Sequence, residues 1–184
     1  WADFTDRDVI LGVLPQFHSF GFTVLTMLPM TVGCRVVYSA RFVPQNIIRL
    51  MRQHRPTAFI AIPSMYNALL SVKSAEPADF ASLRYVVSGG EPLPRAVAAR
   101  FYERFGVRIC EGYGLTETSP VTNWCRPQEY RLGSVGQAMP RVIERIVDPN
   151  TGRELGPNHD GEVRIGGPQL MMGYYNLPRE SAAA

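Results

Sequence analysis

The chain has 184 residues, 46% of them apolar and 19% charged, with a formal net charge of +3. That is room for one domain with a sizeable core and the composition of an ordinary soluble globular protein. So small a charge, with no Lys/Arg cluster, excludes nucleic acid as the main partner. The three cysteines, Cys34, Cys110 and Cys125, are odd in number and far apart. They form neither a metal-ligand pattern nor a disulfide framework, so a reducing cytoplasm is the expected location.

In chain order, Ser19 to Cys34 is uncharged and apolar, but it is short for a membrane span and carries Pro29 and Gly33. It is expected to be a buried helix leading into a strand. No basic leader precedes an apolar run at the N-terminus, so no signal peptide is expected. Pro44 to His54 has Pro near its start and puts Ile47, Leu50, Met51 and His54 on one helical face. Thr57 to Ile62 reads as a buried strand, Pro63 to Val72 as a helix, and Arg84 to Ser88 as a strand ending in Gly89-Gly90. Pro94 to Phe105 reads as a helix stopped by Gly106, and Val107 to Cys110 as a strand.

This alternation predicts an α/β fold with a mostly parallel sheet flanked by helices. After about residue 130 no helix pattern appears. Arg141 to Val147 and Gly161 to Ile165 read as strands around an Asp148–Gly152 turn. A boundary near Pro127 therefore divides an α/β part, residues 1–126, from a small β, barrel-like part, residues 127–184.

Two stretches stand out. Ser88-Gly-Gly-Glu-Pro-Leu93 follows one strand. Glu111-Gly-Tyr-Gly-Leu-Thr-Glu-Thr-Ser-Pro120 follows the next and reads as a loop. One βαβ unit separates them, so both leave the carboxyl edge of the sheet, where open α/β sheets bind ligands. Tyr113 offers a flat face to a purine, and the Gly89-Gly90 backbone can line the other side. Thr116 offers a hydroxyl to a phosphate, and Glu117 a hard oxygen to Mg²⁺. Each piece alone also fits a plain turn or a capping pair. It is the pairing of the two loops that points to a nucleotide.

The segment 111–120 resembles the signature of the adenylate-forming (AMP-binding) superfamily. Others agree in the family's order: Leu14-Pro-Gln-Phe-His-Ser-Phe-Gly-Phe22, the 88–93 loop, Gly133-Ser-Val-Gly-Gln-Ala-Met-Pro140, Gly161-Glu-Val-Arg-Ile-Gly-Gly-Pro168 and Met172-Gly-Tyr-Tyr-Asn176. The resemblance covers nearly the whole chain and is strongest to fatty acyl-CoA and acyl-carrier-protein synthetases. It implies part of an N-terminal adenylate-forming domain, with ATP/AMP, Mg²⁺ and CoA as cofactors. A carboxylate attacks the α-phosphorus of ATP, pyrophosphate leaves, and the thiol of CoA or acyl carrier protein displaces AMP.

The resemblance also implies roles for residues. Glu117 binds Mg²⁺, Thr116 the α-phosphate, and Tyr113 stacks on adenine. Gly89, Gly90, Glu91 and Pro92, with Glu111, Gly112, Gly114 and Leu115, shape the nucleotide slot. His18 faces the reacting acid. Phe17, Phe20 and Phe22 line an acyl tunnel or belong to plain core; His54 and His159 receive no role. A Pro-Lys-Gly phosphate loop, a ribose-binding Arg-Thr-Gly-Asp segment and a C-terminal lysine domain are not in the sequence. A piece of a longer protein, inactive by itself, is therefore expected. A fatty acid is the expected substrate, since His18 is the only titratable side chain in residues 14–28. An aryl-acid or amino-acid activator, and a non-catalytic module keeping the fold, are the rivals. Peripheral membrane association of the longer protein is a further expectation, drawn from the partitioning of long-chain acids into bilayers.

Overall fold

The computed structural model describes residues 2–184. Strand β1 (Val9–Gly12) is followed by a helical stretch made of α1 (Ser19–Phe22), a π turn (Thr23–Met27) and α2 (Leu28–Val32). Then come β2 (Arg35–Tyr38), α3 (Pro44–His54), β3 (Ala58–Ala61), α4 (Pro63–Leu69), α5 (Pro77–Phe80), β4 (Tyr85–Ser88), α6 (Arg95–Phe105) and β5 (Cys110–Gly114). Strands β6 (Val121–Trp124), β7 (Gln137–Ala138), β8 (Ile143–Val147) and β9 (Glu162–Gly166) follow, and α7 (Pro178–Ala183) ends the chain.

Seven strands form one sheet in the order β2-β1-β3-β4-β5-β6-β7. The first five are parallel, as the helix–strand alternation predicts, and β6 and β7 are antiparallel. The main sheet runs on to Ala138, past Pro127. The small β region is an open two-stranded antiparallel ribbon, β8 with β9, rather than a barrel.

The central strands are buried on both faces, and their period of two sends alternate residues to opposite sides. Phe59, Ala61 and Val86 face one core with Tyr66, Phe80, Phe101 and Phe105. Ile60, Tyr85 and Val87 face the other with Leu25 and Trp124. Helices α3, α4, α5 and α6 cover the first face because their apolar stripes match it; α3 buries Ile47, Ile48, Leu50 and Met51. The Arg104 guanidinium reaches from α6 to the carbonyls of Leu70, Val72 and Ala75, pinning the turn after α4.

Several expectations need correction. Glu111–Gly114 is strand, not loop, and Val107–Ile109 is not strand. The pairing with β4 begins only at Val87↔Cys110, and the partner on the other side, β6, comes later in the sequence. Helix α4 stops at Leu69. The stretch from Ser19 is not one buried helix: Phe22, Met27 and Met30 lie exposed, since it rests on the sheet by one side only. A helix does occur after residue 130. In α7, Pro178 starts the first turn and the alanines propagate it.

Candidate active site

The second face of the sheet is not filled. Between it and the α1–α2 stretch lies a cavity of about 220 Å³. Its wall is largely apolar and includes Phe20, Val24, Leu28, Ile60, Val87, Trp124 and Met139. At one end the lining becomes the carboxyl edge of β4 and β5: Gly89, Gly90, Gly112, Tyr113, Gly114, Leu115 and Thr116. The two glycine-bearing stretches are thus neighbours on one edge, as their spacing predicts, through the parallel pair Ser88↔Glu111.

The glycines have specific jobs. A Cβ on Gly89 would meet Phe20 Cζ at 3.0 Å, so the backbone is the wall against which that ring packs. Gly90 has φ +82°, a left-handed conformation that favours glycine. A Cβ on Gly114 would fall 1.7 Å from the Pro120 carbonyl oxygen. Only glycine lets β5 and β6 close there, at the point where their register shifts.

That shift throws out the turn carrying Thr116 and Glu117. Thr118, buried, pins it from inside: its hydroxyl accepts from Leu115 N at 3.0 Å and lies 2.7 Å from the Pro120 carbonyl. The Thr116 hydroxyl lies 3.1 Å from the Ser19 hydroxyl, which joins the 14–22 segment directly to the turn. His18 caps α1, its Nδ1 accepting from Phe20 N at 3.2 Å, and lines the cavity from an exposed position. This leaves its Nε2 for a ligand or water.

Glu117 stands just outside the cavity wall. Its Oε1 accepts from the Tyr174 hydroxyl at 2.7 Å. That hydrogen bond chiefly, helped by Glu117's own backbone amide, holds the carboxyl below its usual range. The Tyr174 phenol is raised in turn. Among the described residues no cluster of three or more His, Cys, Asp or Glu gathers for a metal. A lone carboxylate does suit Mg²⁺ that arrives on a nucleotide, which binds through one or two carboxylates plus phosphates.

The other residues singled out divide. Glu111 does not line the cavity, and its Oε2 accepts from Leu93 N at 3.2 Å, tying strand β5 to the 88–93 loop. Glu91 and Pro92 are exposed and do not line the cavity. Phe20 lines it, but Phe17 and Phe22 do not; Phe17 is 95% exposed. Residues that sequence reasoning did not single out are Ser19, Thr118, Trp124 and Tyr174. Only for Ile60 and Val87 does strand alternation carry a signal of which face they take.

Cys110 and Cys125 are free and buried, and burial first, then the neighbouring Cys125, pushes the Cys110 thiol up to about 12. It is an inert core thiol. No helix among the described residues is long and apolar enough to cross a membrane.

With this geometry in place the class of protein follows: the chain belongs to the AMP-binding enzyme family, whose model matches residues 1–175. Among its relatives, the long-chain-fatty-acid–CoA ligase of Bacillus subtilis is 33% identical over 95% of this chain. The 4-coumarate–CoA ligase-like 6 of Oryza sativa subsp. japonica is 41% identical, also over 95%. The chain spans 31% and 30% of those two proteins. ATP-bound MatB from Rhodopseudomonas palustris superposes with a TM-score of 0.93 at 28% identity, over the whole chain and 36% of that structure.

Proposed function

We propose that this chain is the acid- and adenylate-binding part of an ATP-dependent acid–CoA ligase acting on an apolar carboxylic acid. The observation that carries the reading is the continuity of one cavity: an apolar wall that ends on the glycine edge, with Tyr113, Thr116 and, just beyond, Glu117. An apolar acid buried along Phe20, Val87 and Trp124 gains roughly 25 cal/mol per Å² removed from water. Its carboxylate then comes to rest near His18 and the Thr116 hydroxyl.

In this reading a carboxylate oxygen attacks the α-phosphorus of ATP and pyrophosphate leaves. The thiol of CoA, or of a carrier protein, then attacks the acyl carbon and AMP leaves. The chain's own contribution is positioning. Tyr113 lies against the purine, with the Gly89-Gly90 backbone opposite. Thr116 donates to an α-phosphate oxygen. Glu117 holds the Mg²⁺ carried by the nucleotide, which supplies neutralisation of phosphate charge. A reducing cytoplasm suits the three free thiols, and peripheral membrane contact of the longer protein suits a long-chain acid.

The test is calorimetry of the longer protein with non-hydrolysable acyl-adenylate analogues, repeated on this piece, which by itself is expected to bind them weakly or not at all. Analogues with apolar acyl groups are expected to bind at least tenfold more tightly than AMP, with Thr116→Ala weakening them by about tenfold. Equal binding of a charged-acyl analogue would sink the apolar-acid reading. Absence of binding of any analogue to the longer protein would favour a module that keeps the fold without the chemistry. An aryl acid is the second reading, favoured by the Phe20 and Trp124 rings on the wall. A p-coumaroyl analogue outbinding a dodecanoyl one would establish it.

A further inference from the structure

We propose that Tyr174 is a positioning residue for Glu117: its hydroxyl fixes one carboxylate oxygen so that the other is presented to the divalent cation accompanying ATP. The inference rests on the reading of Glu117 as the cation-binding carboxylate, and adds a residue to it.

Glu117 sits on an exposed turn, where a glutamate side chain is otherwise free to change rotamer. Two bonds from one distant segment hold this residue, one at its backbone and one at its carboxylate. Met171 N donates to the Glu117 carbonyl at 2.8 Å, docking residues 170–176 on the backbone of this one residue. The Tyr174 hydroxyl then donates to Oε1 at 2.7 Å. No hydrogen bond among the described residues reaches Oε2, which is left open as a single-oxygen ligand.

Tyr174 is itself held. Its amide donates to the Ser181 hydroxyl at 2.8 Å, and that hydroxyl donates to the Leu177 carbonyl at 2.7 Å, so α7 braces the tyrosine from behind. Gly173 makes the sharp turn at φ +136°, where a Cβ would meet Ser181 Oγ at 2.8 Å. The neighbouring Tyr175 shows what an unrecruited tyrosine does here: it is 91% exposed. The two bonds therefore converge on Glu117, one on its backbone carbonyl and one on its carboxylate, rather than merely closing the chain end.

The test is Mn²⁺ bound with ATP, read by water-proton relaxation enhancement, in the longer protein as wild type, Tyr174→Phe, Glu117→Gln and the double variant. Tyr174→Phe is expected to weaken Mn²⁺–ATP by about tenfold, as loss of a hydrogen-bond partner to a metal ligand does. The double variant is expected to be no weaker than Glu117→Gln alone, because the tyrosine acts only through the carboxylate. Unchanged binding in Tyr174→Phe overturns the inference and leaves the reading of Glu117 standing. Additive losses in the double variant also overturn it, since they mark a purely structural latch. If Glu117→Gln binds Mn²⁺–ATP like the wild type, or the wild type gives no enhancement, the reading of Glu117 falls and the inference with it. Should Tyr174→Phe free the segment, seen as fast exchange of the Met171 amide, Ser181→Ala carries the test. It keeps the Tyr174 hydroxyl but removes the Ser181 hydroxyl that braces it, and a loss of about threefold is expected; no loss overturns the proposal.

Discussion

The two faces of the central sheet are built from the same strands and end in opposite states. On one face an edge-to-face ladder runs Phe59, Tyr66, Phe101, Phe80, with centroids 5.3–5.4 Å apart. The rings pack on one another, and the Tyr66 hydroxyl is spent on the Phe59 and Val87 carbonyls. On the other face the strands offer Ile60 and Val87, comparable apolar groups, yet a cavity of about 220 Å³ remains. The difference lies in the cover. Four helices close the first face. The second is covered by one interrupted helical stretch, which bridges to the sheet edge through Phe20 against Gly89. Burial patterns in strands identify a core; what packs against them decides whether that core is filled or hollow.

The filled face should be the more costly to damage. Phe101→Ala removes a fully buried ring that touches Tyr66, Phe80 and Phe105, and should cost about 4 kcal/mol in urea denaturation. On the hollow face the sharpest effect is expected from Gly114→Ala, which drives a methyl into the Pro120 carbonyl. It should destabilise by about 3 kcal/mol and abolish binding of acyl-adenylate analogues; retention of both would mean the β5–β6 junction relaxes freely.

A smaller effect tests how the filled face is held at its rim. Asp79, on α5, takes two bonds from the Arg52 guanidinium, at 2.7 and 2.9 Å, and one from Glu76 N at 2.9 Å. Burial raises its carboxyl, but the Arg52 and Glu76 hydrogen bonds outweigh it and the net shift is downward. A depressed carboxyl contributes stability that is present above its unfolded value and lost as pH falls through its folded one. Asp79→Asn should therefore cost about 1.5 kcal/mol at neutral pH. The gap from wild type should close as pH drops below the ordinary Asp value of about 4. A gap independent of pH would contradict the ion pair.

The finest discrimination comes from the same substitution on opposite faces. Val72→Ala opens a new void in the filled core and should cost about 2 kcal/mol. Val87→Ala only enlarges a hollow and should cost about 1 kcal/mol or less. Equal costs in parallel denaturation curves would remove the distinction between the faces.

Much of this was legible in the sequence. Helix α3 occupies the expected bounds because Pro44 begins it and its apolar stripe has a helical period. Helix α6 ends at Gly106, φ +69°, as its glycine suggests. The glycine edge and the approach of residues 14–22 to it were likewise readable, the latter only through resemblance. The strand at Glu111–Gly114 was not, because glycines lower strand propensity and its partner β6 lies further along the chain. Strand β1, a short apolar run interrupted by Gly12, carries no periodicity that separates it from other core. Glu111's tie to Leu93 and Tyr174's to Glu117 are long-range pairings between side chains that look solvent-bound in sequence. No local pattern encodes them.

The register shift between Tyr113 and Gly114 has a consequence for time as well as shape. Amides on the paired side of the shift, Tyr113 and Cys125 among them, sit in ladder or bridging bonds such as Cys125 N to Glu111 O at 2.8 Å. Those in the turn from Leu115 to Ser119 depend on a few local bonds around Thr118. In deuterated solvent the site should run on two clocks, slow where a purine would lie and fast where phosphate would be met. The half that recognises shape is frozen in advance. The half that meets charge has its carboxylate held by Tyr174, while its own amides open more readily.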